Sequence, residues 1–401
     1  MKCVVLAAGE GKRMHPLTYT RPKVMLPIAN KPILEWNLMH AKAAGLNDFL
    51  FIIGYKAEMV REHFGDGNKW NVHINYVNQG KALGTAHAIG MVKSFVDDFL
   101  VLSGDTIFGT NDIKAIVNQP QSMGVVKVEN PGEYGVVETS NDTVKKIHEK
   151  MDQPLSNLIN AGIYHFPKAM FKHIHATTKS PRGEYEITDS INMFTQKQPL
   201  KSITLKEWRD VGYPWHLLEA TEDILKKMKQ KTQGTIEPQA TLIGDVSVGK
   251  GTIIRNGSYI QGPIVIGDNC IIGPNCYLRP YTTIGNNCHV GNACEVKNSI
   301  IMDNTNIPHQ NYVGDSIIGE GCNLGSGTKV ANLRLDKKPI TVTINGKRIH
   351  TERRKLGVIL GDNVQTGINA MMNVGSVIGN NVFIGPGALT NGEIQPETRV
   401  F

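Results

Sequence analysis

A glycine-rich turn beside two cations is the first place where this chain could do chemistry. Leu6-Ala7-Ala8-Gly9-Glu10-Gly11 closes a short apolar run, with Arg13 and Lys23 flanking the turn. Glycine lets backbone N–H groups close around a phosphate, and a following helix N-terminus would add positive potential. With Arg13 and Lys23 this reads as a clamp for a triphosphate. A dinucleotide fingerprint would need glycine where Met14 stands, and no phosphate-binding G-x-x-x-x-G-K-[ST] run is present. Asp105 in Ser103-Gly104-Asp105 and Asp210 in Trp208-Arg209-Asp210-Val211-Gly212 are hard-oxygen candidates for Mg²⁺. An isolated aspartate is as easily a turn or a helix cap. His309 lies in Asn306-Ile307-Pro308-His309-Gln310-Asn311-Tyr312. Taken alone it is a surface histidine, but in a polar pocket it is a general base matched to neutral pH.

The elements that must hold the first group alternate. Cys3–Ala8, Phe49–Ile53, His73–Val77, Phe99–Leu102 and Gly124–Val128 read as buried strands, while Pro32–Ala44, Ala57–Phe64 and Thr85–Phe95 have helical length and spacing. This predicts an α/β domain with an open, mostly parallel sheet and ligands at the carboxyl ends of its strands. His87 is expected to be a packed helix residue. The polar stretch Lys226–Gly234 reads as a helix end and linker, dividing the chain into residues 1–230 and 231–401.

The second part is a repeat. Ile266, Ile272, Leu278, Ile284, Val290 and Val296 keep a step of six, and Leu360, Thr366, Met372, Ile378 and Ile384 resume it. One inward aliphatic residue per six builds short strands joined by tight turns, three to a coil, stacked into a parallel β-helix. Glycine after the aliphatic residue, and asparagine at the turns, suit positive φ. Cys270, Cys276, Cys288, Cys294 and Cys322 each follow an inward aliphatic residue by four. That places them as small apolar packing residues rather than metal ligands or disulfides. The period breaks at 299–316 and at 329–355, the second containing a turn at Asn345-Gly346-Lys347 and the basic run Arg353-Arg354-Lys355. Breaks in a solenoid are where function collects.

Composition narrows the classes. The 401 residues carry 43 Lys+Arg against 36 Asp+Glu, a net charge of +7 spread along the chain. This suits acidic small ligands better than nucleic acid. No apolar run approaches the ~20 residues of a membrane span. With no targeting signal, a cytoplasmic location is expected.

Further motifs carry a family resemblance. Thr20-Arg21-Pro22-Lys23-Val24-Met25-Leu26-Pro27-Ile28 with Lys31-Pro32-Ile33, after the glycine-rich turn, resembles the sugar-1-phosphate nucleotidyltransferases. The resemblance implies a Rossmann-like domain in which Leu6, Ala8, Gly9, Gly11, Gln79, Gly84 and Thr85 bind the nucleotide. In it Gly135, Glu149 and Asn160 face the sugar phosphate, Arg13 and Lys23 hold the departing phosphates, and Asp105 and Asp210 hold Mg²⁺. The hexapeptide repeat, with Leu278-Arg279-Pro280, Glu295-Val296-Lys297, His309 with Tyr312, Asn323-Leu324-Gly325-Ser326-Gly327-Thr328 and Asn332, resembles the left-handed β-helix acetyltransferase half of bifunctional N-acetylglucosamine-1-phosphate uridyltransferases, the archaeal two-activity enzymes most closely. That implies His309 as base on an amino-sugar phosphate bound by Arg279, Lys297, Tyr312, Asn323, Asn332 and Lys338. Acetyl-CoA would lie near Gly361 and Gly385, and the assembly would be a homotrimer. UTP and dTTP both remain open as co-substrates, as do glucosamine-1-phosphate and galactosamine-1-phosphate as acceptors. An alternative keeps nucleotidyl transfer alone and makes the β-helix a structural or regulatory module.

Overall fold

The computed structural model describes residues 1–149 and 153–401, which form two compact units. The first comprises residues 1–10, 22–25 and 33–210; the second comprises 11–21, 26–32 and 211–401.

The first unit is built on a nine-stranded sheet. Strands 73–78, 48–53, 2–7 and 99–103 run parallel in that order, as the alternation of apolar runs and helices predicts. Beyond 99–103 the sheet becomes mixed. Strand 158–166 enters antiparallel between 99–103 and 122–127, followed by 201–204, 143–149 and 135–140. The hairpin-connected strands 135–140 and 143–149 need no crossover helix, so helix–strand alternation carries no signal for them. Both faces of the parallel half are covered: Cys3, Val5 and Ala7 enter one apolar cluster and Val4 the other. That is why these strands are continuous apolar runs.

In the second unit three parallel sheets of eight or nine short strands stack coil upon coil. Ile266 pairs with Ile284 eighteen residues on, three steps of six. Ile254, Ile260, Ile266, Ile272, Leu278 and their successors fill one continuous core. The five repeat cysteines are buried within it and free. Burial pushes the Cys276 thiol up to about 11 and the Cys322 thiol up to about 12, so both stay protonated at neutral pH. The S–H groups of Cys270, Cys288, Cys294 and Cys322 point at backbone carbonyls of neighbouring coils, as from Cys294 to Ile307 O at 3.1 Å and from Cys322 to Gly361 O at 3.3 Å.

One expectation changes here. The asparagines do take positive φ, at 56° for Asn269 and 55° for Asn369. The glycines directly after the inward residue mostly do not. A Cβ on Gly267 would lie 2.6 Å from Gly285 O, and one on Gly285 2.2 Å from Asp303 Oδ1. Glycine is required there by the closeness of successive coils. The first break in the period is a contraction: Ile284 pairs with Ile301 and Ile301 with Ile318, so these coils take 17 residues and strands run through them. The second break is real. Ile317 pairs with Ile359, and the inserted residues form a hairpin, Thr341–Ile344 against Lys347–His350, with its turn at the anticipated Asn345-Gly346.

Candidate functional site

Within the first unit the carboxyl end of strand 2–7 is shaped by close backbone approach. Gly104 N donates to Leu6 O at 2.9 Å, and a Cβ on Gly104 would sit 2.4 Å from that oxygen. Only glycine can precede Asp105 at this spacing. Lys23, with 8% of its side chain exposed, donates from Nζ to Asp105 Oδ2 at 2.7 Å, while Asp105 is 41% exposed. The ammonium is thus fixed from behind and the carboxylate faces outward. Asp210 arrives by strand pairing: Trp208–Asp210 runs antiparallel to Thr106–Phe108, with Asp210 opposite Thr106, next in sequence to Asp105. Two carboxylates therefore come to one end of a two-stranded ribbon. As hard oxygen donors they fit Mg²⁺, which keeps several waters and takes its remaining ligands from phosphate. No cluster of three or more His, Cys, Asp or Glu suited to a metal occurs among the described residues.

The segments expected to face a sugar reach the same neighbourhood. Glu149 lies directly opposite Gly135, where any side chain would meet its Oε2 at 2.8 Å. Strand 158–166 runs alongside, with Ile159 opposite Val136 and Asn160 next to it. Tyr134, just before Gly135, donates its hydroxyl to Asp210 Oδ2 at 3.2 Å, joining the sugar segment to a candidate metal carboxylate. Asn160 is held by the Tyr164 hydroxyl at 2.7 Å and accepts Gly162 N at 3.1 Å. Arg182 pairs with Glu149 at 2.9 Å, a partner that no motif flagged. Lys150, beside Glu149 in the sugar-binding resemblance, lies outside the described residues.

Gln79 and Gly84 also meet. Gln79 Nε2 donates to Gly84 O at 3.2 Å and lies 3.3 Å from His87 Nδ1, so His87 does more than pack its helix: it touches Gln79. Gly84 has φ 109°, and a Cβ there would fall 2.5 Å from Tyr185 O. Thr85 Oγ1 accepts Ile187 N at 3.1 Å and starts a helix that ends at Gly90. Gly9 faces open space, with nothing within 4 Å of a Cβ added there. Leu6 and Ala8 are half-buried at the strand end.

Gly11 and Arg13 belong to the second unit. Gly11 takes φ 77°, but only the 3₁₀ turn Lys12–Met14 follows it, and the first α-helix starts at Ile33. The expected α-helix N-terminus is therefore missing, and the Arg13 guanidinium stands 5.2 Å from the Tyr213 ring centre.

On the coils, Arg279, Lys297, Tyr312 and Asn332 gather on one sheet and its edge. Glu295 lies between Tyr277 and Tyr312 in register, and Lys297 opposite Gly314. Arg279 pairs with Glu295 at 2.8 Å. Lys297 Nζ donates to Asp315 Oδ2 at 2.9 Å, Asn332 Nδ2 donates to the same oxygen at 2.6 Å, and Asn332 Nδ2 also reaches the Tyr312 hydroxyl at 3.2 Å. Asp315 went unnoticed in the sequence because it belongs to no motif and its role depends on three different coils.

His309 ends strand Asn306–His309 rather than occupying a loop, and its side chain is exposed. It shares a sheet with Asn323, and the corner Gln310-Asn311 carries the chain from there to Tyr312. Burial, followed by the nearby His309, holds His289 below its ordinary pKa. Lys338 is exposed in the excursion, its backbone N–H donating to Asp336. Gly385 lines a cavity of about 430 Å³ with Phe383, Arg399 and Phe401, whereas Gly361 is packed against Asn380 of the next coil.

Residues 2–227 match the nucleotidyl transferase family and residues 260–372 the GMPPB C-terminal domain. A solved structure of a putative glucose-1-phosphate thymidylyltransferase from Bacillus anthracis, in complex with a sucrose, is 29% identical. It superposes with a TM-score of 0.53 over 58% of this chain and 97% of its own. The Bifunctional protein GlmU of Methanocaldococcus jannaschii is 42% identical over 100% of this chain and 97% of its own length. The bifunctional sugar-1-phosphate nucleotidylyltransferase/acetyltransferase of Sulfurisphaera tokodaii is 39% identical over 98% of both chains. No helix is long and apolar enough to cross a membrane among the described residues. Matches at this identity cover both units of the chain, and by them the chain belongs to the family of bifunctional GlmU proteins.

Proposed function

We propose that this protein makes a UDP- or dTDP-activated N-acetylhexosamine in two steps: residues 231–401 acetylate an amino-sugar 1-phosphate, and residues 1–230 transfer a nucleotidyl group to the product. The reading rests on the gathering of Asp105 and Asp210 at one strand end beside Gly135, Glu149 and Asn160, in a chain 42% identical to a bifunctional GlmU protein over its whole length.

For nucleotidyl transfer, an oxygen of the sugar 1-phosphate attacks the α-phosphorus of UTP or dTTP in line, and pyrophosphate leaves. The barrier is mostly charge crowding, so catalysis is positioning and neutralisation. Lys23, fixed by Asp105, and Arg13 carry the cations for the departing phosphates. Gln79 and Gly84 present an amide and a backbone edge to the base. Asp105 and Asp210 would hold Mg²⁺, which when bound supplies charge neutralisation to the phosphates.

For acetyl transfer, the sugar ammonium must first lose a proton, which His309 accepts. The free amine then attacks the thioester carbonyl of acetyl-CoA, the C–S bond breaks as the amide forms, and the proton shed by the nitrogen leaves with the CoA thiolate as free thiol. Arg279 and Lys297 suit the sugar phosphate through charge-assisted hydrogen bonds, and Tyr312, Asn323 and Asn332 suit its hydroxyls. Lys338 is a further phosphate candidate, glucosamine and galactosamine 1-phosphates are both acceptors to test, and a homotrimer is the expected assembly.

Pyrophosphate release tests the first step. With UTP or dTTP, N-acetylglucosamine-1-phosphate and Mg²⁺, release is expected from wild type and should vanish with EDTA. Release that EDTA leaves untouched would contradict the roles given to Asp105 and Asp210.

A further inference from the structure

The acceptor residues on the coils are not independent of one another. Lys297 and Asn332 are both held by one buried carboxylate, Asp315, whose side chain is 3% exposed. Its Oδ2 accepts from Lys297 Nζ at 2.9 Å and Asn332 Nδ2 at 2.6 Å, and its Oδ1 accepts from Asn298 Nδ2 at 2.8 Å. Its backbone is equally fixed, with Asp315 N donating to Lys297 O at 2.9 Å and Gly357 N donating to Asp315 O at 2.8 Å. A carboxylate taking three donors from two segments is poorly placed to act as a base. Its chemistry is orientation: one ammonium hydrogen of Lys297 is committed to it, leaving the others for a ligand.

The same holds for Asn332. Its amide hydrogens go to Asp315 and to the Tyr312 hydroxyl, so what it offers a ligand is its carbonyl oxygen, an acceptor for a sugar hydroxyl or amine. A second observation is steric. A Cβ on Gly314 would lie 2.7 Å from both Asn332 Nδ2 and the Tyr312 hydroxyl. The backbone beside Asp315 has therefore been kept bare so that these two tips can meet above it.

We propose that Asp315 is a positioning residue of the acetyl-acceptor site, fixing Lys297, Asn332 and, through Asn332, Tyr312 in the geometry that receives an amino-sugar 1-phosphate. This inference rests on acetyl transfer as read above. Partners of this kind, one bond removed from the ligand, are typically worth about 10- to 100-fold when lost.

The test follows free-thiol release from acetyl-CoA with glucosamine-1-phosphate and galactosamine-1-phosphate, for the full-length wild type, Asp315→Asn and Gly314→Ala. Asp315→Asn keeps the shape and removes the charge. It should raise KM for the amino-sugar phosphate at least about tenfold while KM for acetyl-CoA stays put. Adding Lys297→Met to Asp315→Asn should cost less than Lys297→Met costs alone, because both act at one point. Gly314→Ala, which leaves every charge in place and displaces Asn332 and Tyr312, should raise the same KM and serves if Asp315→Asn folds poorly. Wild type without thiol release on either sugar would sink the acetyl-transfer reading and this proposal with it. Active wild type with an unchanged sugar KM in both variants, or with both KM values rising together alongside a lowered melting temperature, would overturn Asp315 alone.

Discussion

At the scale of single residues, the nucleotide site depends on side chains that hold other side chains. Tyr134 touches no phosphate by itself, yet its hydroxyl lies 3.2 Å from Asp210 Oδ2. Tyr134→Phe removes one donor to a candidate metal carboxylate, and the Mg²⁺ concentration for half-maximal pyrophosphate release should shift by about tenfold. A titration that superposes on wild type would show that this hydroxyl does nothing for the metal. Residues of this kind were only half legible. Asp105 and Gly135 stand inside ordered motifs and could be picked out from the sequence, whereas Arg182, which pairs with Glu149, and Asp315 sit outside any motif. Their partners come from distant segments, so no local spacing announces them.

At the scale of elements, the coils use glycine for two reasons that the sequence does not separate. Gly387 has φ 69° with open space around it, in the column where Asn369 takes φ 55°. Gly285 has ordinary φ, but a Cβ there would meet Asp303 Oδ1 at 2.2 Å. Asparagine tolerates the left-handed region, so Gly387→Asn should leave denaturant stability nearly unchanged. Gly285→Asn should cost about 1–3 kcal/mol or more, because a side chain is forced between coils. Equal effects from the two would contradict this distinction. His289 offers a second check on the same coils. Burial lowers its pKa in the folded state, so the unfolded chain binds its proton more readily. Its contribution is therefore complete above about pH 6.5, the ordinary histidine value, and is lost as the pH falls below it. Melting temperature should fall more steeply between pH 7 and pH 5 in wild type than in His289→Gln, and parallel curves would remove His289 from the account.

The elements also show what each break in the period is. A strict step of six from Ile266 to Val296 leaves little alternative to stacked coils, and the Asn345-Gly346 turn of the real excursion is plain in the sequence. A coil one residue short looks the same as a loop when only spacing is visible. Strand pairing from Ile284 through Ile301 to Ile318 settles it. In the first unit, the parallel strands announce themselves as apolar runs between helices. The antiparallel strands 135–140 and 143–149 carry mixed polar residues and lack intervening helices, so they stayed silent although they bear Gly135 and Glu149.

At the scale of the whole molecule, the claim is that one chain carries two chemistries with separate residues. In the proposed function Asp105 serves one and His309 the other, with neither reaction borrowing the other's groups. The decisive measurement takes one preparation each of wild type, Asp105→Ala and His309→Ala. It follows thiol release from acetyl-CoA with amino-sugar 1-phosphate, and pyrophosphate release from UTP with N-acetylglucosamine-1-phosphate. Asp105→Ala should lose pyrophosphate release by about a hundred- to a thousandfold and keep thiol release. His309→Ala should lose thiol release by about a hundred- to ten-thousandfold and keep pyrophosphate release. A folded variant in which one substitution abolishes both reactions, or a wild type that releases pyrophosphate but never thiol, would contradict the account.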